Sequence, residues 1–215
     1  MLNLTFIFRS SFSLTLGDAM NEETLQAYVP YFKAIVALVA IGYFGYIFIN
    51  RKKFKVANVA ALSAVMAGLV TVMTMIVRVP IPASQGYLNF GDIMIMLTAV
   101  LFGPLIGGFA GGVGSALADL LGYPSWALFT LIIKGSEGIV VGYLAKGDAS
   151  YARILVATTL GGAVMVIGYV SVAYLLYGPA GAVAEFYNDI VQAVSGIIIG
   201  GGLGYVLKKR LGNMI

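Results

Sequence analysis

The run LIIKGSEGIV, residues 131–140, sets Lys134 and Glu137 three positions apart in an otherwise apolar stretch. What two opposite charges do there depends on the solvent around them. The apolar character continues on both sides and defines a span of 125–145 with the pair near its middle. About 20 such residues are enough to cross a hydrocarbon core of roughly 30 Å. Outward from this span the same character recurs, and the spacing predicts further crossings at 29–49, 56–77, 90–102, 104–121, 154–177 and 186–207. The third is short for a crossing. Of the 215 residues, 60% are hydrophobic and 10% charged, where a soluble domain carries about a quarter charged residues. Alternating strands of about ten residues, the mark of a transmembrane barrel, are absent. The sequence therefore reads as an all-α polytopic membrane protein with no separate soluble domain.

The chain has 13 Lys and Arg against 9 Asp and Glu. Its pI of about 9.2 is a topology signal, because the basic residues cluster at span ends. Arg51, Lys52, Lys53 and Lys55 form one cluster, Lys146 and Arg153 a second, and Lys208, Lys209 and Arg210 a third. The positive-inside rule makes these ends cytoplasmic. The N-terminus is then outside, NRKKFK (50–55) inside, VRVPIPASQGYLN (77–89) outside and the C-terminus inside. Asp18, Glu22, Glu23, Glu185 and Asp189 all fall on the outer side. Residues 1–28 form an N-terminal segment, whose first 19 residues read as sequence upstream of a start at Met20.

Several chemistries are excluded. With no Cys and no His there are no disulfides, no thiolate or imidazole metal sites and no His-based acid–base catalysis. No G-x-x-x-x-G-K-[ST] occurs, so any ATP is hydrolysed by another chain and no cofactor is expected. The glycine-rich GGFAGGVGS (107–115) lacks both the preceding strand and the lysine of a phosphate loop.

Small residues are patterned. In KVANVAALSAVMAGL (55–69), Ala57, Ala60, Ala61, Ala64 and Gly68 share one helical face of about 100°. Such a face lets another helix approach closely, either within the bundle or from a partner subunit. Gly103, Gly107, Gly111, Ser115 and Asp119 recur every fourth residue, as do Gly196, Gly200 and Gly204. Both rows read as tight internal packing.

Each of Lys134 and Glu137 costs about 2.5–3.5 kcal/mol at a helix centre on insertion scales. Pairing along the helix lowers that cost, but ionisable residues within a membrane more often line a cavity. Trp126, Thr130, Lys134 and Glu137 lie within about 80° of one face. The last span adds Glu185, Asn188, Asp189, Gln192 and Ser195. Asp92 and Asp119 sit at the outer ends of their spans, and the preceding loop adds Gln85, Tyr87 and Asn89. Tyr123, Tyr169, Tyr174 and Tyr177 supply aromatic surface at the same level. Together these describe a small-molecule pocket open to the outside, suited to a heteroaromatic, hydrogen-bonding solute. The inner halves are nearly nonpolar, which argues against a through-pore. Two other readings stay open: a self-sufficient ion-coupled transporter with Lys134 and Glu137 as a proton relay, and a membrane enzyme using Asp92, Asp119 and Glu137.

N-F-G-D at 89–92, F-G-P at 102–104, G-S-A-L-A-D at 114–119 and K-G-S-E-G at 134–138 carry a resemblance. In order and spacing they resemble the substrate-binding S components of energy-coupling factor (ECF) vitamin transporters, closest to the riboflavin-transporter-like branch. The resemblance covers about residues 55–208. It implies a compact six-helix core at 55–210 that binds a vitamin or related micronutrient from outside. It also implies that the core works with a transmembrane coupling subunit and a pair of cytoplasmic ATPases. In that family an alanine-rich face on the first core helix contacts the coupling subunit, a role that falls here to Ala57, Ala60, Ala61 and Ala64. The loop at 79–89 would close over the substrate. Residues 29–50, an additional helix before the core, depart from the family pattern.

Overall fold

The structure, a computed structural model, describes residues 22–147 and 150–212, with side chains at 26–147 and 150–211. The expectations for residues 1–21, including Asp18 and the start at Met20, lie outside this range. Helix α1, Glu22–Asn50, leads through a short 3₁₀ turn, Arg51–Lys55, into α2, Ala57–Ile76. A two-stranded hairpin follows, β1 Val79–Ile81 and β2 Gly86–Leu88, antiparallel with Pro80 opposite Tyr87. The remainder is α3, Gly91–Leu120; α4, Ala127–Leu144; α5, Tyr151–Ser195; a wide π turn, Gly196–Gly201; and α6, Gly202–Gly212. Among the described residues, five helical stretches are long and apolar enough to cross a membrane.

Two of these stretches are broken by a glycine–proline pair. Gly103 adopts φ 81°, ψ −175°, and Gly178 φ 70°, ψ −166°. Only glycine takes this geometry without strain. The following Pro104 and Pro179 exclude the helical region for the residue before them and suit the first turn of a new helix. The break at Gly103 reverses the chain. A Cβ on Gly107 would lie 2.6 Å from the Cβ of Ala99, and one on Gly111 3.0 Å from Ile95 Cγ2. In a straight helix Ala99 and Gly107 would be about 12 Å apart. α5 also folds back, for a Cβ on Gly162 would lie 3.1 Å from that of Ala193. The expected spans 90–102 and 104–121 are thus the two arms of α3. The spans 154–177 and 186–207 fall on either side of Gly178.

Two boundaries differ from expectation, and a third segment is as short as expected. α1 runs two turns beyond residue 29, because Pro30 removes only one helical hydrogen bond and Gln26 and Ala27 are good helix formers. No loop surrounds Pro179, since the helix resumes there and the outer loop shrinks to Gly178. The first arm of α3, residues 91–102, is only about 18 Å long. It tolerates that length because Ile95, Met96, Ala99 and Val100 are buried in protein, so it need not match the lipid thickness.

The glycine rows pack internally, as expected. A Cβ on Gly111 would meet the Lys134 carbonyl at 2.6 Å, and one on Gly142 would meet Pro104 Cα at 2.6 Å. α4 therefore lies backbone to backbone on the second arm of α3. Gly196 and Gly204 seat the last helix on Asp92, Met96 and Val100 of the first arm. α1 packs outside this core. Its Tyr43, 4% exposed, enters a notch made by Gly112 and Gly135, while Leu38, Ile41 and Ile49 face outward. The basic clusters meet at one end, where Lys208 Nζ donates to the Ala145 carbonyl at 2.5 Å and Arg153 to that of Lys146 at 3.0 Å.

This packing predicts an asymmetry between two glycines. Gly138→Ala places a methyl against the backbone of Gly107 and should destabilise the fold by about 1–3 kcal/mol. Gly68→Ala, with nothing within 4 Å, should leave the melting temperature of the purified protein unchanged. Equal melting of the two variants would contradict the close contact of α3 and α4.

Candidate functional site

Lys134, 2% exposed, stands at the centre of α4. Its Nζ donates to Asp92 Oδ1 and lies 3.8 Å from Glu137 Oε2, both acids being fully buried. The in-helix pair read from the spacing is therefore the weaker contact. The main partner comes from the first turn of α3, where the helix N-terminus also favours a carboxylate. Three charges on two helices are drawn together because none has water to solvate it.

Above this cluster is a narrow hollow, partly open to solvent. On one side it is lined by Thr130 and Lys134 of α4, on another by Asp189 and Gln192 of α5, and at its mouth by Tyr87, Asn89, Asp119 and Trp126. Ten of the residues read from the sequence as pocket groups thus converge, Tyr169 and Glu185 among them. Asp92, Glu137, Gln85, Asn188, Ser195, Tyr123, Tyr174 and Tyr177 do not line it. Asp92 and Glu137 sit behind Lys134 and hold it. Gln85 occupies the tip of the hairpin with φ 51° and points outward. Asn188 donates to the Ala184 carbonyl of its own helix at 2.7 Å. In the last span, Glu185, Asp189 and Gln192 face the hollow and Asn188 falls beside them. This is a helical-phase distinction that a stripe read over five residues is too coarse to make.

Three lining residues are not among those expected: Thr74, Gly86 and Ser115. Ser115 has a legible signal, for it lies four residues before Asp119 on the same helical face. Ser115 and Asp119 top the row read as packing, and the row leaves its neighbour helix where the hollow opens. Thr74 carries no such signal, being a single polar group on an apolar face.

The hairpin covers the hollow and is tied to it. The Ser84 hydroxyl bonds to Glu185 Oε1, and the Tyr87 hydroxyl donates to Asp119 Oδ1. Trp126 Nε1 donates to the Ser84 carbonyl at 3.3 Å, and Arg78 Nη2 to the Ala118 carbonyl at 2.6 Å. Tyr87 stacks on Tyr123 at 4.3 Å, with Arg78 5.2 Å from its ring. Burial, aided by the adjacent Asp119 carboxylate, pushes the Tyr87 phenol well above its usual range, which keeps it a neutral donor. Asn89 Oδ1 accepts from the Gly91 amide at 2.9 Å and sets the start of α3. The aromatic wall is Trp126 with Tyr169 and Tyr177, at centroid distances of 5.7 and 5.9 Å. Tyr169 also donates to Thr130 Oγ1 at 2.9 Å.

Not every buried polar atom here has a protein partner. Asp189 Oδ2, Gln192 Oε1 and Ser115 Oγ face the hollow without one among the described residues, as does Thr74 Oγ1. Leaving such a group unpaired costs about 1–3 kcal/mol, so the arrangement fits a site whose hydrogen bonds are completed by something it takes in.

On α2, Ser63, Met66, Ala67, Val70 and Thr74 are buried, while Ala57, Ala60, Ala61, Ala64 and Gly68 are all exposed on the opposite face. The small-residue face therefore packs against nothing among the described residues.

Residues 53–209 match the family described as ECF-type riboflavin transporter, S component. Among curated proteins, the chain is 80% identical over 146 residues to a Pyrococcus woesei protein described as "Uncharacterized protein in gap 3'region", covering 68% of this chain and 99% of that one. It is 31% identical over 156 residues to the thiamine precursor transporter HmpT of Lactococcus lactis, covering 72% and 85%. A UPF0397 protein of Exiguobacterium is 29% identical over 161 residues, covering 69% and 82%. With apolar helices of membrane-crossing length and a family match over most of its length, the chain belongs to the S components of ECF-type transporters and is a membrane transport subunit, not an enzyme.

Proposed function

We propose that the chain is the substrate-capture subunit of an ECF importer, taking a vitamin or related heteroaromatic micronutrient from outside the cell. The observation that carries this reading is the closed arrangement of Lys134, Asp189, Gln192 and Trp126 around one hollow, with unpaired acceptors facing it. The hollow lies at the end opposite the basic clusters, which the positive-inside rule places in the cytoplasm. The N-terminus is then external, the C-terminus cytoplasmic and the membrane the plasma membrane. The hairpin at 79–88, held by Ser84 and Tyr87, is the cover that opens for entry.

Delivery inward falls to other subunits. The exposed Ala57, Ala60, Ala61, Ala64 and Gly68 face is the docking surface for a transmembrane coupling subunit, because small residues allow backbones to approach closely. A pair of ATPases bound to that subunit supplies the energy, and this chain needs no cofactor. α1 does not cover the docking face, since it packs on α4 and α5. The matching family is described by riboflavin and the Lactococcus relative is named for a thiamine precursor, which makes both compound classes candidates. Both are flat nitrogen heterocycles that the Trp126 wall would stack upon.

Titration of the purified protein with riboflavin, thiamin, pyridoxine, folate and pyrimidine precursors, followed by the fluorescence of Trp126, tests capture directly. Failure of every compound to bind would sink it. Lys134→Ala should weaken the winning ligand by about 2 kcal/mol or more, and unchanged affinity would reassign the lysine to a purely structural role. Ala60→Leu or Ala64→Leu should leave that affinity intact yet abolish co-purification with the coupling subunit. Retained assembly would remove the docking assignment.

A further inference from the structure

By residue count the hollow is richer in acids than in bases. Among the described residues Lys134 is the one cation lining it, and it is already answered twice from behind, by Asp92 and by Glu137 at 3.8 Å. Three more acids line the hollow itself: Asp119, Glu185 and Asp189. Their partners are neutral. Asp119 accepts from the Tyr87 phenol, Glu185 bonds to the Ser84 hydroxyl, and Asp189 Oδ1 accepts from Gln192 Nε2 at 3.0 Å. Among the described residues no ion pair reaches any of the three. Arg78, the other nearby cation, donates to the Ala118 carbonyl at the hairpin base.

Of the four unpaired side-chain atoms facing the hollow, Ser115 Oγ and Thr74 Oγ1 are hydroxyls that can donate or accept, and two are acceptors only. Asp189 Oδ2 and Gln192 Oε1, on side chains 1% and 2% exposed, are acceptors that face the hollow with no donor among the described residues. Behind them Asp92 Oδ2 and both Glu137 oxygens also accept no hydrogen bond among the described residues. A ligand that completes the two carbonyl and carboxylate oxygens must donate hydrogen bonds. A positive one would also balance the acids that line the hollow and keep them ionised. The adjoining wall of Trp126 and Tyr169 favours a flat cation, since an aromatic face attracts positive charge.

We propose that the site selects cationic, amino-bearing nitrogen heterocycles, with Asp189 and Glu185 as the carboxylates that recognise the donor edge. It discriminates against neutral, acceptor-rich rings and against phosphorylated forms. The inference rests on the reading of this hollow as the capture site. An anionic ligand meets three carboxylates at the mouth and walls, and like charges brought together in a desolvated site are strongly disfavoured. Asp189 supplies a charge-assisted bond, and such bonds are roughly twice as strong as neutral ones.

The test is equilibrium titration of the full chain in lipid nanodiscs, read by Trp126 fluorescence or calorimetry. The probes are 4-aminopyrimidine with 4-pyrimidinone, thiamin with thiamin diphosphate, and riboflavin as a large neutral ring. The amino and cationic members should bind at least about tenfold tighter than their partners and than riboflavin. Asp189→Asn should weaken the cationic ligand about tenfold or more. Asp189→Glu, which keeps the charge, should preserve the ranking. Riboflavin or the diphosphate binding tightest in the unaltered protein would overturn the charge selection yet leave capture standing. If none of the probes bound at any charge, capture and selection would fall together. The ranking in the unaltered protein decides the matter even where an Asp189 variant does not fold.

Discussion

A lysine with 2% exposure at the middle of an apolar helix has two options: lose its proton or find carboxylates. Lys134 has found two, and much of the bundle is arranged to bring them. Asp92 arrives from the start of α3, Glu137 from one turn along α4. For both to reach the same nitrogen, the first arm of α3 must lie against α4 at a fixed depth. Removing one member of such a buried pair leaves the other uncompensated, which costs about 3–5 kcal/mol. The ionic cluster is therefore a weak source of net stability but a strict constraint on register. It also forms the floor of the hollow.

Glycine makes that register reachable. The arms of α3 can fold on one another only because Gly103 takes a positive φ. α4 can lie on the second arm only because Gly107, Gly111 and Gly138 present bare backbone. In lipid there is no hydrophobic drive between helices, so van der Waals contact at this distance is what holds them. The same rule explains α2. Its buried face meets α3, and its alanine face meets nothing among the described residues.

The site follows from this frame. The hairpin is a short sheet fastened by two carboxylates, Asp119 and Glu185, which otherwise point into the hollow. A ligand with donors would meet the same acids that hold the cover. Entry and closure thus draw on one set of hydrogen bonds, and the aromatic wall of Trp126, Tyr169 and Tyr177 limits what shape can share them.

Much of this is legible in the amino-acid sequence alone. Run length and the low charge count dictate membrane helices, since a bilayer admits no unpaired backbone. The glycine–proline pairs mark the chain reversals because two adjacent residues are confined to geometries a helix cannot use. Period-four rows of glycine announce close packing, and the charges inside apolar spans announce a site. The Asp92–Lys134 bond is not legible there, for it joins residues 42 apart and depends on how two helices meet. Nor is the separation of Asn188 from Asp189, since a difference of about 100° in helical phase matters only once the neighbour's position is known. Gln85 departs from expectation because a hairpin tip can point either way. Residue chemistry and spacing settle what each helix must hide, whereas the partner of each hidden group is chosen by three-dimensional packing, which no single stretch of chain contains.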